Sequence, residues 1–334
     1  MKILHVTDCY AGGVSRAIDT ITKITPTYDH YLAWSGKESP TEKSNYIETF
    51  QIHGGILKKV KLVRTLVNII RPDIVHAHSS WAGVYTRLLP LPCRVIYQPH
   101  CFAFDDPERK PTTRAFYFLA ESILSRNSEC IIHLSEHEKK LACKINSKAK
   151  SLYLPNAPTI QNLPSKKKSN SIKEIVMVGR LAPQKAPFFF AETIKLITTE
   201  ENIKFTWIGD GEEKYRKMLS KLGVEVTGWL DEVQLANRLS SACIYFHTAS
   251  YEGYPLSVLD AASSGLAVLV RDIPAFSEDT FIKVKTPSEA AASILELIKD
   301  TEKLNLARQA NNATLARMNY STQKKALLNI YNGE

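Results

Sequence analysis

The sequence lacks the features that anchor a chain in a membrane or cross-link it through disulfides. Its six cysteines are scattered and form no C-x-x-C pair, which argues against a zinc site or a disulfide scaffold and is typical of a reducing compartment. No uncharged apolar run approaches the length that spans a bilayer. The amino-terminal apolar run is short and ends at Asp8, unlike a secretory signal peptide. We therefore expect a soluble, cytoplasmic protein.

Common nucleotide-binding signatures are also absent. The first apolar run leads to Gly12 and Gly13, and glycines just before a helix let the backbone approach a phosphate closely. An ordinary tight turn explains this pair equally well. The pattern is not G-x-G-x-x-G, no acidic residue ends the second apolar run, and there is no Walker A loop. These absences argue against a nicotinamide enzyme and a P-loop enzyme.

The positive charge is unevenly distributed. The formal net charge is +9, and residues 1–157 hold 21 Lys and Arg against 14 Asp and Glu, whereas residues 158–334 hold 22 against 20. A basic half attracts phosphate-rich partners such as nucleic acid or an anionic membrane leaflet, but it can also be a solvated surface. No helix-turn-helix, RNA-binding or finger signature is present, so we expect no nucleic acid. Peripheral contact with the inner face of the cell membrane stays open.

Strand-length apolar runs alternate with helix-period segments along the whole chain, which is typical of parallel α/β sheets. One helix-period segment, 56–70, carries an apolar face opposite lysines and an arginine, and we expect it to cover a sheet rather than touch a membrane. That face comprises Ile56, Val60, Val63, Val67 and Ile70. The strand-length runs are 2–7, 29–35, 73–79, 94–98, 129–135, 174–179, 203–211, 243–248 and 266–272.

The alternation is interrupted once, by a stretch rich in Lys, Ser, Asn and Pro. We therefore predict two tandem Rossmann-like, doubly wound domains: 1–157, a linker at 158–173, and 174–318. Residues 319–334 form a C-terminal helix that could pack back on the first domain. Because such sheets bind ligands at the carboxyl ends of their strands, we expect the site in the cleft between the domains.

The segment 250–270 combines two acids with the start of an apolar helix. Pro255 suits the first helical position, which would leave the amides of residues 256–258 without intrahelical acceptors. Glu252 precedes this helix, and the side chain of Asp260 leans back toward its start. A positive helix end between two acceptor groups suits a ligand with phosphate and hydroxyls. A capped surface helix with two solvated acids is the alternative.

Two cations stand at the end of another predicted strand. Arg180 and Lys185 lie in a loop that follows Gly179 and opens the next helix. Fixed cations near a helix start can neutralise a diphosphate and stabilise it as a leaving group, but surface cations in a loop are an equally ordinary explanation.

Histidines could in principle hold a metal. His76 and His78 have metal-like spacing at the end of a strand, but we see no nearby carboxylate or third ligand in the sequence. We therefore expect core or loop histidines and predict no metal site.

Several motifs together resemble the family 4 glycosyltransferases of the GT-B fold. The second half carries GRLAPQK, GDG at 209–211, TGWLDE and YEGYPLSVLDAASSG in the family's order, and the first half carries AGGVSR, RPDIVHAHS and YLPN. The resemblance covers nearly the whole chain. It implies a retaining, metal-independent transfer of a sugar from a nucleotide-sugar donor without a cofactor. The family's Glu-x7-Glu signature falls on Glu252 and Asp260, whose side chain is one methylene shorter.

The resemblance also implies roles for individual residues. Glu252 would bind the donor's hexose hydroxyls, Asp260 its ribose, and Arg180 and Lys185 its diphosphate. His100 matches a family position near the donor sugar, where its imidazole or carbonyl could stabilise positive charge at the anomeric carbon. The remaining donor-binding positions are Gly12, Gly13, Gly253, Tyr254, Pro255, Leu256 and Ser257.

The expected function is transfer of a sugar, from a UDP-sugar in the family's commonest case, to a saccharide or lipid-linked acceptor. The expected setting is cell-surface polysaccharide, lipopolysaccharide or glycolipid biosynthesis. Two alternatives stay open: a sugar-nucleotide epimerase or hydrolase on the same fold, and a non-catalytic subunit that stabilises an active partner.

Overall fold

The computed structural model describes residues 1–36, 40, 45–160, 172–197 and 202–334. The chain divides into two compact units. The first unit contains 1–156, 252–254 and 320–334, and the second contains 157–251 and 255–319. Most of the predicted linker, 161–171, lies outside the described residues.

Each unit is built on one parallel sheet, which confirms the predicted fold class of two parallel-sheet α/β domains. The first sheet comprises β1 (Lys2–Thr7), β2 (Asp29–Trp34), β3 (Glu48–Gln51), β4 (Ile74–His78), β5 (Arg94–Gln98), β6 (Cys130–His133) and β7 (Lys150–Tyr153) in the order β3-β2-β1-β4-β5-β6-β7. The second comprises β8 (Lys173–Val178), β9 (Ile203–Ile208), β10 (Glu225–Val226), β11 (Ile244–His247), β12 (Ala267–Arg271) and β13 (Ile282–Val284) in the order β10-β9-β8-β11-β12-β13.

Helices lie in most of the connections between strands and cover both sheets, as is usual for parallel pairing. They are α1 (Gly12–Ile24), α2 (Ile56–Ile70), α3 (Ser80–Arg87), α4 (Pro111–Leu124), α5 (Glu136–Ile145), α6 (Pro187–Lys195), α7 (Glu213–Ser220), α8 (Glu232–Ser241), α9 (Leu256–Ser263), α10 (Pro287–Lys299), α11 (Thr301–Arg317) and α12 (Tyr320–Asn332). No helix among the described residues is long and apolar enough to cross a membrane.

The helix α2 covers the first sheet with the face that its periodicity predicts. Val60, Val63, Val67 and Ile70 are buried in one cluster with residues of β1, β4 and β5. Ile56 is the exception, because it lies at the first turn and is exposed.

The C-terminal helix α12 belongs to the first unit. Leu327, Ile330 and Tyr331 are buried in a cluster with Ile3 of β1 and Ile74 of β4. The last helix of the chain therefore completes the core around the first strands.

The strand order reverses once in each sheet, between β1 and β4 in the first and between β8 and β11 in the second. In doubly wound sheets the loops after the strands on either side of such a point carry the ligand-binding residues. The glycine pair follows β1 at the start of α1, the loop after β8 carries Arg180 and Lys185, and the loop after β11 carries Glu252. The fold thus places sequence-predicted residues at both reversals.

Candidate functional site

The glycine pair after β1 forms the first turn of α1 rather than a loop before it. Gly12 has a φ of +57°, a conformation that favours glycine. A Cβ built at Gly12 or at Gly13 meets no atom within 4 Å. The space above this helix start is therefore open to a ligand at the point where strand order reverses.

Gly253 packs against the backbone of His100 within the first unit. A Cβ at residue 253 would lie 2.2 Å from the carbonyl oxygen of His100, so no larger residue fits there without moving the chain. His100 follows β5 and has a φ of +59°, which is uncommon for a residue with a side chain. The peptide 252–254 is held further by Asn156, whose Nδ2 donates to the Tyr254 carbonyl at 2.8 Å. The asparagine of the YLPN motif thus fixes the tripeptide 252–254 of the YEGYPLSVLDAASSG motif.

Glu138 of α5 is a site residue that the sequence reasoning missed. Its Oε1 lies 2.8 Å from the position that a Cβ on residue 253 would take, and its Oε2 accepts a hydrogen bond from the Leu134 amide at 2.8 Å. The side chain is buried, and burial raises its pKa to about 8. Ser135 and Glu138 match the capping pattern S-x-x-E, so the sequence signals only a helix start here.

The prediction that no third ligand accompanies His76 and His78 was wrong. His5 pairs in register with His76 on the neighbouring strand, and ligand atoms of the three imidazoles lie within 4.8 Å of one another. All three side chains are buried. However, Nδ1 of His5 is already hydrogen-bonded to Nε2 of His78 at 3.1 Å, so a metal held by those two nitrogens would have to replace that bond. Our prediction of a metal-free protein stays a prediction.

In the second unit, the loop with the two cations is tied to the chain after β11. The Thr248 hydroxyl donates to the carbonyl of Lys185 at 2.6 Å, and the Ser250 amide donates to the carbonyl of Gln184 at 2.9 Å. The side chain of Lys185 lies across Gly179, whereas Arg180 is exposed. The loop is therefore fixed at its backbone while both cationic side chains stand at the end of β8.

The GDG motif supports the same loop from the other side. A Cβ at Gly209 would lie 2.1 Å from the carbonyl oxygen of Gly179, and one at Gly211 would lie 2.3 Å from that of Leu181. Both glycines are thus required by close backbone packing, which gives the motif a structural reason.

The helix α9 begins one residue later than predicted. Pro255 is its N-cap, with φ −76° and ψ 129°, and the Val258 amide already donates to the Pro255 carbonyl at 3.2 Å. This corrects the prediction of three outward amides, because only those of Leu256 and Ser257 lack an acceptor within the helix. Ser257 is oriented from below by the Tyr245 hydroxyl, which donates to its Oγ at 2.8 Å.

Asp260 is fully buried and binds the chain around residue 159. Its Oδ1 accepts from the amide of Thr159 at 2.6 Å and from that of Ile160 at 3.3 Å, and the Thr159 hydroxyl lies 3.3 Å from Oδ2. The ribose contact implied by the resemblance stays a prediction beside this structural role.

The chain matches two family models and several characterised proteins. Residues 172–300 match the model "Glycosyl transferases group 1", and residues 49–157 match "Glycosyl transferase 4-like domain". An Escherichia coli UDP-Gal:alpha-D-GlcNAc-diphosphoundecaprenol alpha-1,3-galactosyltransferase is 30% identical over 258 residues, which cover 68% of this chain and 66% of that protein.

Solved structures share the fold over almost the full length. Sucrose-phosphate synthase from Thermosynechococcus elongatus superposes with a TM-score of 0.84 at 13% identity, over 99% of this chain and 98% of that one. HepE from Anabaena, solved in complex with UDP-glucose, gives 0.80 at 16% identity over 100% of both chains. With the GT-B architecture and both family models in place, this chain belongs to the family 4 glycosyltransferases.

Proposed function

We propose that the protein transfers a hexose from a UDP-sugar to a lipid-linked saccharide, with retention of the anomeric configuration, in cell-surface polysaccharide or glycolipid synthesis. The observation that carries the proposal is the placement of Arg180 and Lys185 on a rigidly tied loop at the strand-order reversal of the second sheet. The similarity to a galactosyltransferase that uses UDP-Gal and a diphosphoundecaprenol acceptor supports the choice of both substrates.

The chemistry asks the protein mainly to stabilise a leaving group. As the bond between the anomeric carbon and the diphosphate breaks, negative charge grows on the diphosphate, and two fixed cations lower the energy of that state. The acceptor oxygen then bonds to the anomeric carbon on the face that the diphosphate leaves, and the hydroxyl proton passes to the departing diphosphate, so the protein needs no nucleophile of its own. Its further contribution is to hold both substrates in position.

An exposed apolar face on α4 supports contact with the membrane that carries a lipid-linked acceptor. Phe116, Leu119 and Ile123 lie three and four residues apart and are 68%, 59% and 55% exposed. Lys110 and Arg126 stand exposed at the two ends of this helix. Apolar side chains bordered by cations suit the surface of an anionic bilayer.

The test supplies UDP-galactose with α-D-GlcNAc-diphosphoundecaprenol, and in a second arm with a water-soluble GlcNAc-diphosphate. Transfer to the lipid acceptor, with an α-linkage seen by NMR of the product, is the expected result. Epimerised nucleotide sugar without acceptor, release of UDP by water alone, or no turnover with a full panel of nucleotide sugars would each contradict the proposal.

Membrane contact has its own assay. Sedimentation with vesicles that contain phosphatidylglycerol should fall for Phe116→Ser and Leu119→Ser and should weaken as salt is added. Leu306→Ser is the matched control, because Leu306 is 57% exposed on α11 of the second unit. Binding that is equal for all three variants would remove α4 as the docking face.

A further inference from the structure

Four buried or partly buried histidines of the first unit form a continuous hydrogen-bonded chain that ends at the candidate site. Nε2 of His30 is 3.0 Å from the Thr25 carbonyl oxygen, and Nδ1 of His30 is 3.0 Å from Nε2 of His5. Nδ1 of His5 is 3.1 Å from Nε2 of His78, and Nδ1 of His78 is 3.1 Å from Nε2 of His100. Each imidazole thus meets the next through the same pair of nitrogens.

Burial favours the neutral form of all four imidazole rings near pH 7. Burial lowers the pKa of His5 and His78 well below the ordinary value, lowers that of His30, and lowers that of His100 to about 4. A neutral imidazole carries one N–H and one lone pair, so each ring in the chain donates on one side and accepts on the other. Fixing which nitrogen donates in the ring at one end therefore fixes which nitrogen donates in every other ring of the chain.

The end at Thr25 sets that direction. The Thr25 carbonyl can only accept, and the Thr25 hydroxyl already donates its hydrogen to the Ile21 carbonyl at 2.7 Å. The same hydroxyl oxygen lies 3.1 Å from Nε2 of His30, where it can therefore act only as an acceptor. Both contacts require the hydrogen on Nε2 of His30.

The remaining assignments follow ring by ring. Nδ1 of His30 has a lone pair and accepts from Nε2–H of His5, whose Nδ1 in turn accepts from Nε2–H of His78. Nδ1 of His78 then accepts from Nε2–H of His100. We propose that this chain, anchored at Thr25, holds His100 in the Nε2–H tautomer, so that its Nδ1 offers a lone pair as an acceptor to a substrate hydroxyl. The identity of that hydroxyl rests on the proposed function.

The histidine chain fixes the tautomer of His100 and does not conduct protons. We call this arrangement the tautomer lock. A proton that entered at His100 and moved along the rings would reach Thr25, where a peptide carbonyl cannot take it up. Burial of the three inner rings also opposes an imidazolium ion at any of them. His30, His5 and His78 are therefore positioning residues for His100.

The direct test is a long-range ¹H–¹⁵N correlation spectrum of the full-length protein with ring-labelled histidine at neutral pH, assigned by single histidine variants. We expect the Nε2–H tautomer for all four rings. A charged ring, an Nδ1–H tautomer or a mixture at His100 would overturn the proposal. A metal between His5 and His78 would appear as the loss of their shared hydrogen bond, restored by a chelator, and would also overturn it.

Three variants distinguish a specific effect on the His100 tautomer from a general effect on packing. His30→Leu removes the anchor and should give a mixture of tautomers at His100, whereas His30→Gln keeps a donor and an acceptor in one side chain and should preserve the single tautomer. His76→Gln is the control, because the His76 ring centroid lies 4.1 Å from that of His78 but outside the chain, with Nδ1 bonded to the Tyr331 hydroxyl. An unchanged His100 in a folded His30→Leu variant would contradict the anchor, and the wild-type spectrum decides the matter if that variant does not fold.

Activity provides a second, separable readout. If His100 accepts from a substrate hydroxyl, His30→Leu should lower kcat/KM about 2- to 10-fold, the range for one lost hydrogen bond, and His30→Gln should rescue it. The spectrum needs no substrate, so the tautomer lock and the transferase function can fail independently.

Discussion

The carbonyl oxygen of His100 occupies the space that a side chain on residue 253 would need. The two residues are 153 positions apart in sequence, yet a Cβ added to Gly253 would lie 2.2 Å from that oxygen. A backbone carbonyl cannot swing aside as the end of a flexible side chain can. The geometry of His100 therefore depends on the absence of a side chain at residue 253.

Gly253→Ala should lower both activity and stability. The added methyl forces the two backbones apart, at about 1–3 kcal/mol of folding free energy, and a displacement near 1 Å in a site can cost about 100-fold in rate. Chemical unfolding and kcat/KM would be measured together. Gly55→Ala is the control, because a Cβ there meets nothing within 4 Å. Wild-type kinetics in Gly253→Ala would show that the contact does not shape the site.

Gly13→Ala should raise stability while it impairs substrate binding. Gly13 lies in α1 with open space around it, and alanine is favoured over glycine in a helix by up to about 1 kcal/mol. We expect a raised melting temperature together with a raised KM for donor or acceptor, because the methyl would fill the space that the ligand approaches. Unchanged KM values for both substrates would remove the glycine pair from the site.

Arg180→Ala and Lys185→Ala should each slow turnover with little effect on folding. A charge-assisted hydrogen bond contributes about 1.5–3 kcal/mol, so each change should lower kcat/KM about 10- to 100-fold. Lys217→Ala serves as the control, since Lys217 is exposed on α7 and pairs with Glu213 at 3.9 Å. If all three variants behave alike, the diphosphate assignment is wrong.

The strands that form the middle of each sheet were predictable, and the edges were not. The first four residues of β12, AVLV, are all buried and form a continuous apolar run. The edge strand β3 has the sequence ETFQ and no buried position, and β10 has two residues, so neither leaves an apolar pattern. Hydrophobic patterning in a sequence reflects burial, so an edge strand with few buried residues shows only a weak hydrophobic pattern.

Motifs located part of the candidate site, but contacts distant in sequence stayed hidden. The spacing of His76 and His78 was visible, whereas His5 joins them only through the pairing of β1 with β4. Glu138 matched a helix-start pattern, which gave no reason to look for its contact with Gly253. In both cases the missing information was strand order and packing, which one sequence does not contain.

Glu138→Gln should change how stability depends on pH. The pKa of Glu138 rises from its ordinary 4.5 to about 8 through burial, so between these values the folded state keeps a proton that the unfolded state has lost. Wild-type stability therefore falls as pH rises through this window, by at most about 1.4 kcal/mol per pH unit from this group. Glutamine does not titrate, so in urea unfolding the stability of the variant relative to the wild type should increase from pH 5 to pH 8. Glu192→Gln, at an exposed position on α6, is the control. A constant difference across the range would mean that Glu138 does not carry a raised pKa.

Three variants distinguish two roles of Asp260, a contact with the donor ribose and a structural tether to residues 159 and 160. Its fully buried carboxylate accepts from the amides of Thr159 and Ile160. Asp260→Asn keeps one acceptor oxygen but removes the charge, so the free energy of unfolding should fall by about 1–2 kcal/mol. For Asp260→Glu the free energy of unfolding should fall further, by about 1–3 kcal/mol, because the buried site has no room for the extra methylene group.

Thr159→Val completes the comparison by weakening the tether without touching the acid. It removes one hydroxyl that lies 3.1 Å from Oδ1 of Asp260 and leaves both amide bonds in place, so its loss of stability should be smaller than that of Asp260→Asn. If the acid also binds the donor ribose, donor Kd by calorimetry should rise for Asp260→Asn and stay at the wild-type value for Thr159→Val. A donor Kd that is unchanged in Asp260→Asn would leave the tether as the whole role of Asp260, because the stability loss would then occur without any loss of ligand.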